Sequence, residues 1–279
     1  MYNALEGKPE QNRAEQRSPE RVRDRIDSSP RFQDSDAVRL NRLFRGAETV
    51  EMLETLLRER MAGDVAIVSS FGAESAVLLH LVSRVDPNVP VLFLETGKHF
   101  PETLAYRDEL VSRLGLTDLR DLVPDPEDLA KRDESGLRWS YDPDGCCEIR
   151  KVKPLARALA QFDASITGRK AFQASTRSSL PRFEIDTTDA QGRLKINPLI
   201  DWAPETIAAY IAEHDLPAHP LVAAGYPSIG CSPCTSKVAP GEDPRSGRWK
   251  GWDKTECGIH VPGRDGDNGD VPPGYDPVF

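Results

Sequence analysis

Aromatic side chains are scarce in this sequence of 279 residues, at 7% of the total, and no long apolar run occurs. The most apolar stretch, residues 65–85, is interrupted by Glu74, His80 and Arg84, which is not the composition of a membrane-spanning helix. A basic excess is also lacking, because the formal net charge is −9. This balance excludes a general nucleic-acid-binding protein, but it does not exclude a local pocket of cations for a small anion.

Disulfide frameworks and targeting signals are lacking as well. Charges at Glu6, Lys8 and Glu10 interrupt the N-terminus and no apolar run follows, so we expect no signal peptide, no membrane association and a cytoplasmic protein. An odd number of cysteines, five, in a reducing compartment does not indicate paired disulfides.

The composition predicts three regions. Residues 1–40 are rich in Arg, Glu, Gln, Ser and Pro and cannot bury enough apolar area to offset the entropy of ordering, so we expect a flexible tail. Residues 41–240 carry the core of an α/β domain. Residues 241–279 are dominated by Gly, Pro and charge, and we expect a mobile C-terminal segment.

Strand, turn and helix patterns alternate through the α/β domain. Short apolar runs at residues 65–68, 89–94, 119–123, 164–167 and 194–196 predict strands. Helical spacing predicts helices over residues 47–62, 76–82, 101–114 and 204–213, and a helix from Cys146 to Leu159 that Pro154 bends. The alternation indicates a doubly wound, mostly parallel sheet with helices on both faces.

The segment SSFGAES, residues 69–75, joins the first predicted strand to a helix. Free N–H groups at a helix N-terminus suit an anion, and the serines add hydroxyl donors. An ordinary strand–helix turn would have the same pattern. The turn LETG, residues 94–97, would lie at the same edge of the sheet, where nucleotides bind in such folds.

Four of the five cysteines form two pairs. Cys146 and Cys147 are adjacent, and Cys231 and Cys234 form a CxxC motif. Four thiolates can hold a [4Fe–4S] cluster or a structural zinc, and two buried thiols with a redox CxxC would also fit the spacing. We favour the cluster, because adjacent cysteines fit one zinc tetrahedron poorly.

Cys257 stands alone in a polar segment with Lys254, Arg245, Arg248 and His260 near it in sequence. Cations favour the thiolate and make an accessible cysteine reactive. Position alone would equally fit an idle surface cysteine.

Taken together, these motifs resemble one family. The segment ECGIH, residues 256–260, is similar to the Glu-Cys-Gly-Leu-His signature of sulfonucleotide reductases. The segments CCEIRKV (146–152) and CSPC (231–234) resemble the cluster motifs of assimilatory adenylyl-sulfate reductases, and residues 69–75 and 94–98 resemble their nucleotide-binding turns. The resemblance runs from about residue 40 to residue 260.

The resemblance implies a modified ATP-pyrophosphatase-like (adenine nucleotide alpha hydrolase-like) fold, a [4Fe–4S] cluster on Cys146, Cys147, Cys231 and Cys234, and Cys257 as the catalytic nucleophile. The substrate-binding residues that it implies are Ser69, Ser70, Phe71, Gly72, Ser75, Leu94, Thr96, Gly97, Lys151, Arg169, Arg177, Arg245, Arg248 and His260.

The implied reaction is reduction of adenylyl sulfate to sulfite and AMP through a Cys257 S-sulfonate, in assimilatory sulfate reduction for cysteine biosynthesis. Thioredoxin or a glutaredoxin-like protein would supply electrons, and relatives suggest a homo-oligomer. A reductase of 3′-phosphoadenylyl sulfate, or of both substrates, is the nearest alternative. An RNA-thiolating ATP pyrophosphatase would need a different sequence in the turn at residues 69–75, and Phe71 and Glu74 do not match that pattern. A non-catalytic metal protein would leave the ECGIH segment unexplained.

Overall fold

The computed structural model describes residues 31–173, 177–254 and 256–259. Six strands form its sheet: β1 Val65–Ser69, β2 Val91–Leu94, β3 Leu119–Leu122, β4 Ala164–Thr167, β5 Phe183–Ile185 and β6 Leu194–Ile196. Nine α-helices lie in the described part of the chain: α1 Asp34–Leu43, α2 Thr49–Arg58, α3 Ser75–Ser83, α4 Pro101–Leu114, α5 Pro126–Arg132, α6 Pro143–Cys147, α7 Lys153–Leu159, α8 Pro204–Glu213 and α9 Pro220–Ala223.

The strand order is β3-β2-β1-β4-β6-β5, and every pair is parallel except β5 with β6. The chain builds β1, β2 and β3 towards one edge and then crosses back to place β4 on the other side of β1. The predicted doubly wound, mostly parallel sheet is confirmed. The direction of winding reverses between β1 and β4, which is where such sheets leave a crevice for a ligand.

The core occupies both faces of the sheet. Ile67 of β1 belongs to the larger cluster, which helices α1 to α4 and α8 cover. Its neighbour Ala66 points to the opposite face and packs with Leu155 and Leu159 of α7. This alternation follows from the two-residue period of a strand, and it explains why the central strands read as continuous apolar runs.

Several elements were not predicted from the sequence: helices α1, α5 and α9 and strand β5. Helix α1 begins at Asp34, inside the segment expected to be a tail, and it covers the edge strand β5. Asn41 closes this contact: its side chain donates to Phe183 O at 2.7 Å and accepts from Phe183 N at 3.2 Å. Residues 1–30 lie outside the described residues.

The predicted helix from Cys146 to Leu159 consists of three pieces. Helix α6 leads into a π-helical turn, Glu148–Val152, and α7 follows. Pro154 has no N–H to donate to the carbonyl of Arg150, so the regular ladder is interrupted one turn before the proline. Helix α6 begins at Pro143, three residues before the predicted start of this helix. None of the helices in the described residues is long and apolar enough to cross a membrane.

Candidate active site

A cavity of about 720 Å³ opens at the carboxyl ends of β1, β2 and β4. Ser69 ends β1, Leu94 ends β2, and Gly168 follows β4, and all three line the cavity. Parallel strands direct their carboxyl ends to one edge, so segments distant in sequence meet there. The C-terminal residues Arg245, Arg248 and Cys257 close the opposite wall.

The turn after β1 contributes most of the serines predicted to bind the nucleotide. Ser69, Ser70, Gly72 and Ser75 line the cavity. Ser69 Oγ accepts a hydrogen bond from Phe71 N at 3.2 Å, which tightens the turn. A Cβ at Gly72 would meet protein atoms at no less than 3.4 Å, so only a ligand would require a glycine here.

Phe71 is not part of the cavity lining. Its backbone is left-handed, with φ +47°, and its ring is fully buried in a T-shaped contact with Phe93 at 5.5 Å. The left-handed conformation costs a bulky residue about 1–2 kcal/mol, which burial of the ring offsets. Phe71 therefore fixes the shape of the turn.

The turn after β2 also contains both residues that line the cavity and residues that do not. Leu94 lines the cavity, whereas Thr96 and Gly97 do not. Thr96 is fully buried, and its hydroxyl lies 3.4 Å from Cys231 Sγ. Thr96 therefore supports one of the paired cysteines, while Gly97 adopts a φ of +68° at the turn.

The cavity is cationic although the protein is acidic. Six Lys and Arg side chains line it against three Asp and Glu: Lys151, Arg169, Lys170, Arg177, Arg245 and Arg248, with Glu74, Asp243 and Glu256. An enclosed excess of positive charge attracts anions and makes each contact with an oxyanion stronger than in water.

Three of the arginines predicted to bind substrate already have carboxylate partners, and one of them, Arg245, lies 3.6 Å from Glu256. Arg169 is buried and pairs with Glu184, and it also donates to Asn197 Oδ1 at 2.9 and 3.1 Å. Arg177 donates from two nitrogens to both oxygens of Glu256 at 2.8 Å.

Lys151 and Arg248 have no carboxylate partner among the described residues. The π-helical turn directs Lys151 towards Cys147, Cys231 and Cys257. Burial opposes the charge of Lys151, but its attraction to these sulfur atoms outweighs burial and raises its pKa. Arg248 stacks on Trp249 at 4.5 Å, and its Nε is buried without a partner among the described residues. Both cations are placed to accept an anion.

The four paired cysteines come from two separate segments of the chain. Cys146 and Cys147 end α6. Cys231 precedes a short 3-10 turn, Ser232–Cys234, and Cys234 ends it. Burial raises the pKa of Cys146 to about 11 and that of Cys147 to about 12. At Cys231 burial also opposes ionisation, but Lys151, Thr96 and Arg248 outweigh it and lower the pKa.

These four thiols influence one another's ionisation. Burial is the main cause that raises the pKa of Cys146, Cys147 and Cys234, and the negative charge of Cys231 raises it further. In the part of the chain that the structure describes, no three His, Cys, Asp or Glu side chains converge on a point that could hold one metal ion. Four thiols from two segments are a donor set of the kind that holds a [4Fe–4S] cluster.

Cys257 lies in the same cavity and is partly exposed. Its segment is anchored on both sides. Lys254 forms an ion pair with Asp144, next to the cysteines of α6, and Ile259 packs against the core cluster that includes Leu155. His260 lies outside the described residues.

Four charged residues of the cavity were not among the predicted site residues: Glu74, Lys170, Asp243 and Glu256. Lys170 follows β4 directly and pairs with Glu74 at 2.8 Å; the rule that placed the turns after β1 and β2 would have found it. Glu256 is the first residue of the ECGIH segment, and no local pattern indicates that its side chain would reach Arg177, 79 positions earlier.

Comparison with known proteins identifies the family. A family model described as the phosphoadenosine phosphosulfate reductase domain matches residues 64–237. The chain belongs to this family. Like the other members of this reductase family, it is an oxidoreductase, and its sheet is of the ATP-pyrophosphatase-like α/β type.

Individual relatives of this reductase carry two names. It is 51% identical over 227 residues to the adenosine 5′-phosphosulfate reductase of Mesorhizobium japonicum, covering 81% of this chain and 88% of the relative. It is 45% identical over 214 residues to the phosphoadenosine 5′-phosphosulfate reductase of Gloeobacter violaceus, covering 75% and 88%. The crystal structure of phosphoadenylyl-sulfate reductase from Candida auris, a phosphate complex, superposes with a TM-score of 0.60 at 27% identity, covering 75% of this chain and 100% of that chain.

Proposed function

We propose that this reductase converts adenylyl sulfate to sulfite and AMP, with Cys257 as the nucleophile and a thioredoxin or glutaredoxin-like dithiol protein as the electron donor. The observation that carries the proposal is the position of Cys257 in a cationic cavity at the reversal point of the sheet, beside Lys151. Its relatives named for adenosine 5′-phosphosulfate reduction support the same substrate.

In the first step, the Cys257 thiolate attacks the sulfur of the substrate. A bond forms between Cys257 Sγ and the sulfonate sulfur, the bond from that sulfur to the bridging oxygen breaks, and AMP leaves with the electron pair. Lys151, Arg245 and Arg248 would neutralise the sulfate oxygens, which otherwise repel a thiolate. The serines after β1 and the Leu94 backbone would hold the nucleotide.

In the second step, a thiolate of the donor attacks Cys257 Sγ, and sulfite leaves with the electron pair of the sulfur–sulfur bond. The donor's second thiol then displaces Cys257 and forms the donor disulfide. The dithiol thus supplies both electrons that reduce the substrate sulfur. A reducing compartment maintains such donors, which is consistent with a cytoplasmic enzyme; the expected homo-oligomer stays a prediction.

We also propose that Cys146, Cys147, Cys231 and Cys234 hold a [4Fe–4S] cluster. When bound, it would supply a link between α6 and the loop after residue 230, and a fixed charge beside Lys151. The chemistry of the donor set supports it: four thiols that influence one another's ionisation, three of them buried, with Lys151 beside Cys147, Cys231 and Cys234.

The experiment is anaerobic incubation of the cluster-loaded protein with ³⁵S-labelled adenylyl sulfate in the absence of a donor. Wild type should retain one labelled sulfonate on Cys257 and release it as sulfite when reduced thioredoxin is added. Cys257→Ser should bind AMP and retain no label. Wild-type protein that binds AMP but forms no adduct would sink the proposal.

The same assay with 3′-phosphoadenylyl sulfate tests the second candidate, which the name of the Gloeobacter violaceus relative favours. We expect the ratio of kcat/KM values to favour adenylyl sulfate. A ratio below one would assign the enzyme to the 3′-phosphorylated substrate.

A further inference from the structure

The segment that carries Cys257 is attached to the α/β domain through charges. Glu256 precedes Cys257 and pairs with Arg177 at 2.8 Å and with Arg245 at 3.6 Å. Lys254, on the same segment, pairs with Asp144. The segment buries one hydrophobic side chain, Trp249, among residues 241–254 and 256–259. Its position therefore depends on these ion pairs more than on apolar packing.

The pair between Glu256 and Arg177 has the geometry of a strong contact. Arg177 Nε and Nη2 donate to the two carboxylate oxygens of Glu256, which is the bidentate fork that guanidinium and carboxylate groups prefer. Both side chains are mostly shielded, at 12% and 18% exposure. Shielding weakens screening by solvent and strengthens the attraction.

Arg177 lines the cavity, but its fork is occupied by the segment that carries Cys257. Its remaining nitrogen, Nη1, donates to Gln173 Oε1 at 2.8 Å. Three of the five guanidinium N–H groups are therefore engaged within the protein. A substrate anion would meet only the two remaining N–H groups unless it displaced Glu256.

We propose that Glu256 and Arg177 are a pair of positioning residues that seats the Cys257 thiol in the cavity for attack on the substrate and, by parting, exposes the adduct to the donor protein. The second half of this statement rests on the proposed function. The pair assigns Arg177 to the segment and leaves Lys151 and Arg248, which have no carboxylate partner among the described residues, for the substrate.

An ionic contact suits a segment that must close and open in each cycle. Hydrogen bonds to charged groups shift an equilibrium by about tenfold to a hundredfold, which favours the closed state without making it permanent. A hydrophobic lid of the same size would have to expose apolar surface each time it opened.

The first test needs no substrate. Cluster-loaded protein is treated anaerobically with iodoacetamide, and alkylation of the Cys257 peptide is followed by mass spectrometry. Glu256→Gln and Arg177→Met should each raise the rate about tenfold or more, and the double variant Glu256→Arg with Arg177→Glu should recover part of the protection. The control is Asp253→Asn, which removes an exposed carboxylate of the same segment and should leave the rate unchanged. Unchanged alkylation in both single variants would overturn the proposal.

The second test separates positioning from substrate binding. In a Cys257→Ser background, which allows binding without chemistry, Arg177→Met and Glu256→Gln should leave the affinity for adenylyl sulfate within about twofold, measured by calorimetry. With Cys257 present, each should slow S-sulfonation about tenfold to a hundredfold in a single turnover. A large loss of affinity in Arg177→Met alone would make Arg177 a substrate ligand and refute its assignment to the segment.

The two tests fail independently. If wild type forms no sulfonate with either sulfonucleotide, the proposed function falls, but alkylation still reports whether the pair holds Cys257. If wild type forms the adduct and neither variant changes alkylation or single-turnover rate, the positioning pair falls and the proposed function stands.

Discussion

The two walls of the cavity are built differently. The wall formed by the strand ends rests on a fully buried core: Ile67, Phe71 and Phe93 are 0% exposed. The opposite wall, residues 241–254 and 256–259, has little regular structure and is held by ion pairs, by the stacking of Arg248 and Lys254 on Trp249, and by a hydrogen bond from Trp249 N to Cys234 O at 3.0 Å. One wall is fixed by apolar burial, and the other is held mainly by charge.

This difference corresponds to two tasks in the proposed reaction. A nucleotide needs a preformed surface, since displacing a packed turn would cost core energy. A nucleophile that meets a small substrate and then a protein needs a surface that can move. The strand-end wall would bind the nucleotide, and the charged wall would carry the thiol that reacts.

The largest expected effect is a difference between the two walls in how much a truncated side chain lowers the free energy of unfolding. Ile67→Ala should lower the free energy of unfolding by about 2–5 kcal/mol, because it leaves a cavity in a central strand. Ile259→Ala, at the margin of the second core cluster, should cost less than about 1 kcal/mol. Denaturant unfolding measures both, with the exposed Val38→Ala as a control; equal losses at Ile67 and Ile259 would contradict the contrast.

The next effect concerns the reaction of Cys257, the thiol that the charged wall carries, with a cation from outside that wall. Lys151→Met should slow S-sulfonation of Cys257 by about 10²–10³-fold, since it removes a cation that would neutralise the sulfate oxygens. Lys250→Met removes an exposed lysine from the segment that carries Arg248 and should change nothing. Single-turnover labelling measures both rates, and iron and sulfide analysis checks that the variants hold the cluster equally. A Lys151 variant as fast as wild type would move the critical cation elsewhere.

Acid should lower the stability of the folded protein at the contact between helices α9 and α4. His219 is 1% exposed; it accepts from Leu221 N through Nδ1 and, as the neutral tautomer, donates from Nε2 to Thr103 Oγ1 at 3.1 Å. Burial lowers its pKa from 6.5 to about 4, so the folded state favours neutral imidazole. The part of the free energy of unfolding that depends on neutral His219 is fully present above pH 6.5 and is lost as the pH falls through 4. That part is about 3 kcal/mol.

The matched variant is His219→Asn, which can still accept from Leu221 N but does not titrate. Unfolding measured between pH 7 and 4 should depend less on pH in this variant than in wild type. Parallel curves would assign the acid sensitivity to other groups.

The smallest effect is that of salt. Raising ionic strength from 0.1 to 1 M shortens the screening length from about 10 to about 3 Å. Because Asp144 is 71% exposed, its pair with Lys254 should weaken, and alkylation of Cys257 should become a few-fold faster. Thermal unfolding of the sheet should change little over the same range, and equal salt sensitivity of both would remove the distinction between the walls.

Local pattern was sufficient for the parallel strands and several helices. The strands at Ala164–Thr167 and Leu194–Ile196 and the helices at Pro101–Leu114 and Pro204–Glu213 have their predicted bounds, since apolar run length and helical period are local properties. Strand β5 and helix α1 were missed because three residues, Phe183–Ile185, form a strand only by pairing with β6, and α1 is stabilised by covering that edge.

The candidate site shows the same division. Residue type and motif order indicated the cysteines, Lys151 and the serine turn, because chemistry restricts which side chains can hold a cluster or an anion. The sequence could not show that Phe71 would turn into the core or that Thr96 would contact Cys231, since both depend on neighbours far along the chain.

By itself, therefore, the sequence determined the α/β class, the edge of the sheet where a ligand would bind and the chemical groups available there. Only the tertiary structure decided which cations already have carboxylate partners: Arg169 with Glu184 and Arg177 with Glu256 across the cavity, while Lys151 faces three thiols. Charge acts through space, so a pairing between residues 79 positions apart leaves no periodic trace in the chain, whereas burial along a strand or helix does.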